Sequence, residues 1–271
     1  MEIKFMDSLA EIDQTGSYVK KLFIDGVEIL KQSNDGKETH GGAAVLIPYA
    51  NRVRDHVYRF EGREYDLPAE SGNHSIHGLV RHVKWDVLEK DEDSVELGFA
   101  LSDPGYPSRL HNIVKYRIDS ESFTTKFEIE NTGERNSPVM VGTHPYFLTH
   151  GEWDITADKP VKMLEYADRY FPTGQMTDFS MHQMTSKSGT VFDNCFMGGG
   201  DLHLHNGMAH ILIERENMPY FQVYNGEYAE DKSVAIEPMT GAPDSFNNGI
   251  GLITIEPGGK FVCSYTISLI E

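Results

Sequence analysis

The chain has 271 residues, which is enough for one large all-β domain or two average domains, and its 39% of hydrophobic residues can fill a core. The formal net charge is −18, because 42 acidic residues outnumber 24 lysines and arginines. A surface this acidic repels nucleic acid and anionic membranes at long range, and we therefore expect a small-molecule ligand and neither of those partners. The oligomeric state, monomer or homodimer, is left open.

The N-terminus lacks the basic segment and apolar run of a signal peptide, and no apolar stretch approaches about 18 residues. We therefore expect a cytoplasmic protein. The only two cysteines, Cys195 and Cys263, are too few for a disulfide framework and are expected to be reduced core thiols.

Alternation of apolar and polar residues recurs along the chain and predicts strands with one buried face near residues 95–101, 114–118, 123–129, 211–213 and 263–269. Turn signals such as Asn131-Thr132-Gly133 and Asn206-Gly207 separate them. Helix-period windows are absent, and the sequence leaves room only for short helical turns near 104–112 and 240–248. No linker or repeat divides the sequence. These features favour a single all-β domain over residues 1–271, built as an antiparallel sandwich or barrel.

The first candidate ligand contacts are Asn51 and Arg52, which follow the apolar run 43–47. An amide and a guanidinium where a strand meets a loop can fork onto ligand oxygens, although a strand-end salt bridge is the simpler interpretation of such an arginine.

Histidines form two close pairs, His74 with His77 and His203 with His205. The first spacing suits a metal on a helix, but Gly72 and Gly78 argue against a helix there, and zinc needs a third ligand. We therefore expect no metal site.

His144 and Glu237 each precede a proline, which disfavours helical backbone and predicts an extended conformation at both positions. A histidine and a glutamate held in rigid segments can supply one acid and one base to the same substrate. Asp193 lies between Phe192 and Phe196, and the amide of Gln222 lies among aromatic residues. Carboxylates, amides and aromatic faces are the groups that carbohydrate sites combine.

Taken together, these segments resemble the aldose 1-epimerase (galactose mutarotase) family along nearly the whole chain. The resemblance is carried, in order, by Asn51-Arg52, His77-Gly78, Tyr106-Pro107, Thr143-His144-Pro145-Tyr146-Phe147, Asp193-Asn194-Cys195-Phe196, Gln222-Val223-Tyr224, and Glu237-Pro238 with Pro243-Asp244.

The resemblance implies a large antiparallel β-sandwich of the galactose mutarotase type, with a site in a cleft across one sheet. It implies a reaction without metal or cofactor that interconverts the α and β anomers of a free sugar. Glu237 would be the base, His144 the acid, and His77 would stabilise charge near the ring oxygen. The expected substrate-binding residues are Arg52, Asn51, Asp193, Tyr146, Gln222 and Arg81. An ionised Glu237 and a protonated His144 would require mutual stabilisation.

The sequence departs from the family pattern at Met239, which replaces a glutamine. The run His77-Gly78-Leu79-Val80-Arg81 is similar to that of hexose-6-phosphate 1-epimerases, so a second hypothesis is a sugar phosphate bound by Arg81 and Lys84. Against it, His40 stands where those enzymes have a second phosphate-binding arginine, and the net charge opposes a dianion. A non-catalytic carbohydrate-binding protein is a third hypothesis, and a glycoside hydrolase that uses Asp193 and Glu237 as its two carboxylates is a fourth.

Overall fold

The computed structural model describes residues 1–270, and almost all of its regular structure is strand. In chain order the strands are β1 (Glu2–Phe5), β2 (Ser8–Asp13), β3 (Tyr18–Ile24), β4 (Val27–Glu28), β5 (Ala43–Leu46), β6 (Arg52–Val53), β7 (Val57–Phe60), β8 (Arg63–Asp66), β9 (Ser75–Ile76), β10 (Asp86–Lys90), β11 (Ser94–Leu101), β12 (Leu110–Ile118), β13 (Ser122–Asn131), β14 (Ser137–Val139), β15 (Gly142–Leu148), β16 (Asp154–Ala157), β17 (Val161–Tyr166), β18 (Pro172–Phe179), β19 (Asp193–Gly198), β20 (Leu202–His205), β21 (His210–Glu216), β22 (Tyr220–Tyr224), β23 (Ser233–Met239), β24 (Ile253–Ile255) and β25 (Lys260–Ile270).

Helices are short. One helix, α1, spans Ser245–Asn248, and single 3-10 turns lie at Arg54–His56, Met181–Gln183, Ser186–Ser188 and Glu227–Ala229. The helical turn expected within 240–248 is therefore confirmed. No helical turn forms near 104–112, where a non-helical turn leads into β12 at Leu110. None of the helices in the part of the chain that the structure describes is long and apolar enough to cross a membrane.

Two large antiparallel sheets make up the sandwich. The 11-stranded sheet runs β1-β2-β3-β5-β15-β23-β22-β19-β17-β18, with β4 paired to β3, and the 8-stranded sheet runs β10-β11-β12-β13-β25-β21-β20-β16. Smaller two-stranded pairs are β14–β24, β6–β9 and β7–β8. The antiparallel all-β architecture expected from the alternation is confirmed, and of the two forms left open, sandwich or barrel, the protein has the sandwich.

The alternation predicted the buried face of the 8-stranded sheet. Along β12 buried positions alternate with more exposed ones, and Val114 pairs with Phe127, which in turn pairs with Cys263. Their side chains belong to one continuous core shared by both sheets. Full burial of a side chain such as Phe127 stabilises the fold by roughly 1.5–3 kcal/mol. Cys195 and Cys263 are free thiols buried in this core, as expected.

The middle of the 11-stranded sheet is buried on both faces. Every residue of β23 is buried, so its two sets of alternating side chains both lie inside the protein. Val234 and Ile236 pack in the core, whereas Glu237 has the opposite parity and points to the other face. That face of β15, β23, β22 and β19 forms the floor of a cleft.

Candidate active site

The register of neighbouring strands brings the candidate side chains into one row. Gln222 on β22 pairs with Glu237 on β23 and, on its other side, with Cys195 on β19. On β15, His144 lies midway between Gly142, which pairs with Met239, and Tyr146, which pairs with Ala235. Residues that lie directly opposite each other on antiparallel strands share a face of the sheet, so His144, Glu237 and Gln222 all face the cleft.

The cleft has a volume of about 1060 Å³. Side chains from the sheet line its floor, and loops and the β6–β9 pair line its walls. All nine residues proposed from the sequence line it: Asn51, Arg52, His77, Arg81, His144, Tyr146, Asp193, Gln222 and Glu237.

His144 and Glu237 form the centre of the site. Nε2 of His144 lies 3.3 Å from Oε1 of Glu237, and the two residues are only 6% and 2% exposed. Nδ1 of His144 and Oε2 of Glu237 are buried and have no hydrogen-bond partner within residues 1–270. Because buried polar atoms are normally paired, these two atoms are the ones that a ligand would satisfy.

Burial sets the charge state of this pair. Removal from water raises the pKa of Glu237 well above its ordinary value; the charge on Asp193 raises it further and that on Arg52 opposes it. Burial lowers the pKa of His144 to about 3. Desolvation therefore favours the uncharged form of each group, a protonated carboxyl group beside a neutral imidazole, and acts against the ion pair expected from the sequence.

His77 approaches the pair from the opposite wall. It follows β9 with φ 61°, and its N–H donates to the carbonyl of Asn51 at 2.9 Å. Its ring centroid lies 5.5 Å from that of His144, and its buried Nδ1 has no partner among the described residues. Burial lowers the pKa of His77 well below its ordinary value, and the nearby His144 and Arg81 lower it further, so the imidazole is neutral.

Asp193 receives a hydrogen bond from the amide Nε2 of Gln222 at 2.7 Å. The side chains of Phe192 and Phe196 point to the opposite face of the sheet, into the core. The carboxylate of Asp193 is therefore half-buried at the cleft and is not enclosed by the two rings. The carbonyl Oε1 of Gln222 is buried and unpaired in the part of the chain described by the structure. Asp193 and Gln222 therefore present a carboxylate and an amide oxygen side by side.

Tyr146 fixes the plane of the His144 ring. The two rings stack with their centroids 4.6 Å apart and an interplanar angle of 10°. The Tyr146 hydroxyl donates to the carbonyl of Thr39 at 2.8 Å. Tyr146 thus joins the strand that carries His144 to the loop that forms one wall of the cleft.

Asn51 and Arg52 are held by the segment that follows Glu237. The Asp244 N–H donates to the carbonyl of Arg52 at 2.9 Å, and Oδ1 of Asp244 accepts the N–H of Arg54 at 2.9 Å. Asn51 is buried in the left-handed region with φ 55°, and its Oδ1 accepts the N–H of Arg52 at 2.9 Å. The Arg52 side chain forms no ion pair with any carboxylate in residues 1–270, so the strand-end salt bridge is not formed.

Arg81 lines the cleft but is already paired. Its Nη1 donates to Oε1 of Glu38 at 2.8 Å, and its Nη2 contacts the carboxylate of Glu70. Two carboxylates therefore face one guanidinium. Lys84 is exposed and lies outside the residues that line the cleft. His40 hydrogen-bonds Asp35 through Nδ1 at 2.8 Å and stacks on Tyr228 with ring centroids 3.7 Å apart.

The two close histidine pairs make hydrogen bonds with neighbouring residues. Within residues 1–270 no three His, Cys, Asp or Glu side chains converge as metal ligands. Nδ1 of His74 accepts the N–H of Asp55 at 3.0 Å, and His203 hydrogen-bonds Asp158 and His210.

Several cleft residues carry no signal in the sequence that marks them as part of a site. They are Glu38, Glu70, Tyr166, Asp168, Arg169, Tyr170 and Tyr228. The nearest local signal is Asp168, whose Oδ1 accepts the N–H of Tyr170 at 2.9 Å and so marks a turn that presents an aromatic residue. For the other residues of this set, the neighbouring sequence does not indicate which distant strands they approach.

Comparison with known proteins places the chain among sugar epimerases. The family model described as "Aldose 1-epimerase" matches residues 3–268. The chain is 31% identical over 232 residues to the uncharacterized protein YihR of Escherichia coli (strain K12), an alignment that covers 79% of this chain and 74% of that protein. It is 24% identical over 210 residues to the aldose 1-epimerase of the same organism, covering 72% of this chain and 59% of that enzyme.

A solved structure shares the fold. A galactose mutarotase-like protein from Clostridium acetobutylicum superposes with a TM-score of 0.87 at 18% identity, and the match covers 100% of this chain and 94% of that chain. The expectation of a β-sandwich of the galactose mutarotase type is therefore confirmed.

Proposed function

The chain belongs to the aldose 1-epimerase family, and from that premise we propose that it interconverts the α and β anomers of a free aldohexose. The observation that carries the proposal is the contact between His144 and Glu237, 3.3 Å apart on the cleft floor, with one atom of each buried and unpaired. Such a pair combines an acid and a base within reach of one sugar ring.

Ring opening requires two proton transfers. Glu237 takes the proton of the C1 hydroxyl while His144 gives a proton to the ring oxygen; the bond from C1 to that oxygen breaks and the C1 carbonyl forms. After rotation about the C1–C2 bond, protonated Glu237 returns its proton to the carbonyl oxygen and neutral His144 removes the proton of the attacking hydroxyl. No electron leaves or enters the sugar, so these side chains balance the reaction without a cofactor.

The single proton of the resting pair fits this cycle. A neutral imidazole beside a protonated carboxyl group is the state that follows ring opening, and the charged pair is the state that precedes it. Binding of the cyclic sugar brings hydroxyl donors to Glu237 and a ring oxygen toward His144. We propose that these interactions with the sugar move the proton from Glu237 to His144, across the 3.3 Å that separate them, and so prepare the charged, reactive form of the pair.

The remaining polar groups have binding roles in this proposal. Neutral His77 hydrogen-bonds near the ring oxygen and stabilises charge that develops there. Asp193, Gln222, Asn51 and Arg52 hold sugar hydroxyls and keep the open chain in place during rotation. This arrangement favours catalysis over binding alone, because the acid and the base both lie in the same cleft as the groups that bind.

The charges in the cleft favour a neutral sugar over a sugar phosphate. Arg81 would be the natural phosphate ligand, but Glu38 and Glu70 already neutralise it and leave an excess of one negative charge. A phosphate dianion at this position would meet two carboxylates. The formal net charge of −18 acts in the same direction.

The test is anomer exchange measured by saturation-transfer NMR on fresh α-D-glucose and α-D-galactose, with buffer alone as the baseline. We expect faster exchange with the protein and no acceleration with the isosteric Glu237→Gln variant. Acceleration that survives this substitution would contradict the assigned base, and acceleration of glucose 6-phosphate alone would replace the neutral substrate with a sugar phosphate.

A further inference from the structure

The Arg52 guanidinium reaches the cleft with very little hydrogen bonding. Its Nε donates to Oγ of Ser71 at a long 3.3 Å, and neither terminal nitrogen donates to any group in residues 1–270. No carboxylate in that range lies within ion-pair distance of it. A flexible arginine with so few polar contacts samples many rotamers unless another group restrains it.

Tyr170 supplies that restraint. Cζ of Arg52 lies 3.8 Å from the centroid of the Tyr170 ring. A guanidinium that lies over an aromatic face gains a cation–π contact while the edges that carry its N–H groups stay free. The stacking therefore fixes the position of Arg52 without consuming its hydrogen-bond donors.

The loop that carries Tyr170 is itself ordered. It joins β17 to β18, the edge strand of the 11-stranded sheet, and Oδ1 of Asp168 accepts the N–H groups of Tyr170 and Phe171 at 2.9 and 3.1 Å. Arg54 binds the same loop, with Nη2 3.1 Å from Oδ2 of Asp168 and Cζ 3.9 Å from the centroid of Phe171. Two arginines thus stack on two consecutive aromatic residues, and these contacts join the loop to the segment that carries Arg52.

We propose that Tyr170 is a positioning residue that holds the Arg52 guanidinium in place for the hydroxyl groups of the sugar. The proposal deepens the epimerase function and its kinetic consequence rests on it, whereas the restraint on Arg52 can be measured without any sugar. Because Arg52 binds hydroxyls in the cyclic and open forms alike, loss of the restraint weakens binding and leaves the chemical step nearly unchanged.

The first measurement is the heteronuclear NOE of the Arg52 Nε–H group in the intact protein, assigned by its loss in Arg52→Lys. We expect a rigid signal in the native protein and in Tyr170→Phe, which keeps the ring. In Tyr170→Leu, which removes the ring but keeps apolar bulk, we expect a mobile signal. Thermal unfolding of both variants shows that each is folded, and a signal that stays equally rigid in Tyr170→Leu overturns the proposal.

The second measurement is the kinetics of anomer exchange on the preferred sugar. We expect Tyr170→Leu to raise KM by about five- to tenfold with kcat changed by less than about twofold, and Tyr170→Phe to restore KM. In an Arg52→Met background, Tyr170→Leu should have no further effect. A KM increase that persists in that background overturns the proposal, because Tyr170 would then act without Arg52. If the native protein accelerates no sugar while the NMR result is as expected, the epimerase function fails and the restraint on Arg52 stands.

Discussion

His144 and Glu237 face each other on adjacent strands, with Nε2 and Oε1 3.3 Å apart, in buried surroundings that favour the uncharged form of each side chain. Burial raises the pKa of the carboxyl group and lowers that of the imidazole, so the pair carries one proton over a wide pH range. A reaction that gives one proton to the substrate and takes another from it needs a pair of groups that shares a single titratable proton. The same burial makes each group costly for the stability of the fold.

The substitution Glu237→Gln should separate activity from stability. It keeps the shape of the side chain and removes the base, so we expect anomer exchange to fall by about 10²–10⁴-fold. Glutamine does not ionise, whereas in the unfolded native chain Glu237 ionises above its ordinary carboxyl pKa. Because the pKa of folded Glu237 is raised, the native protein loses stability as pH rises from the ordinary value toward the raised one.

The Glu237→Gln variant should therefore be more stable to unfolding than the native protein at pH 8, and this difference in stability should shrink toward pH 4.5. The slope in between approaches about 1.4 kcal/mol per pH unit in the free energy of unfolding. Chemical denaturation at several pH values measures it. The exposed Glu121→Gln is the control for the loss of one carboxylate from the chain. A stability difference independent of pH would mean that Glu237 is ionised in the folded protein.

The pH profile of kcat/KM for anomer exchange should be flat near neutrality. A catalytic imidazole with the ordinary pKa of about 6.5 would give a limb there, but burial lowers the pKa of His144 to about 3. The pair gains a second proton only below that value and loses its single proton only above the raised pKa of Glu237. We expect a change of less than about twofold between pH 5 and 7, and a fall only on the alkaline side.

Spontaneous mutarotation is subtracted with buffer blanks at each pH. A limb centred near pH 6.5 would show that His144 titrates as an exposed histidine does, which would contradict the burial argument for this pair.

Removal of the two carboxylates around Arg81 should admit a phosphate. Glu38 and Glu70 hold the guanidinium and place negative charge in the cleft. The double substitution Glu38→Gln with Glu70→Gln leaves Arg81 with its charge uncompensated. We expect the affinity for glucose 6-phosphate and for inorganic phosphate to rise by about tenfold, as measured by isothermal titration calorimetry.

The control is the pair Glu64→Gln with Glu121→Gln, which changes the net charge equally. Glu64 also pairs with an arginine, Arg59, at 3.0 Å, but on the exposed surface. Equal gains in phosphate affinity from both double variants would show that overall charge, and not the cluster at Arg81, excludes anions.

The sequence predicted the parts of the molecule that depend on local pattern. Alternation identified β12, β13 and β25, because one face of each is buried in the core. The prolines at 145 and 238 correctly indicated extended backbone at His144 and Glu237, on β15 and β23. Their contact could not be derived from local pattern, since antiparallel pairing of distant strands leaves no local trace.

The walls of the cleft depend even more on long-range packing. Tyr170 reaches Arg52 from the far edge of the sheet, and no periodicity links two such positions. The charge state of Glu237 could not be derived from the sequence either, because it depends on desolvation, which follows from the packing of the whole cleft and raises the pKa of this carboxyl group.

The backbone conformation at position 78, next to His77, explains why this residue is a glycine, and the explanation can be tested. Gly78 adopts φ +78°, and a Cβ atom there would lie 2.2 Å from the carbonyl oxygen of Ile47, which accepts the N–H of Leu79 at 2.8 Å. Alanine at this position would be strained by the left-handed backbone conformation. Its Cβ atom would also clash with the Ile47 carbonyl group, which is backbone and cannot rotate away as a side chain can. We expect Gly78→Ala to lower the free energy of unfolding by about 2–4 kcal/mol and, by shifting His77, to lower kcat.

Gly62 provides a matched control for this prediction. It has a similar φ of +75°, but a Cβ atom there would meet nothing within 4 Å. Gly62→Ala therefore carries only the cost of the left-handed backbone, about 1 kcal/mol, and should leave activity unchanged. Denaturant unfolding of the two variants isolates the clash as the difference between them. Equal losses of stability would show that the loop at Gly78 moves away from Ile47, and that the close approach does not fix the position of His77.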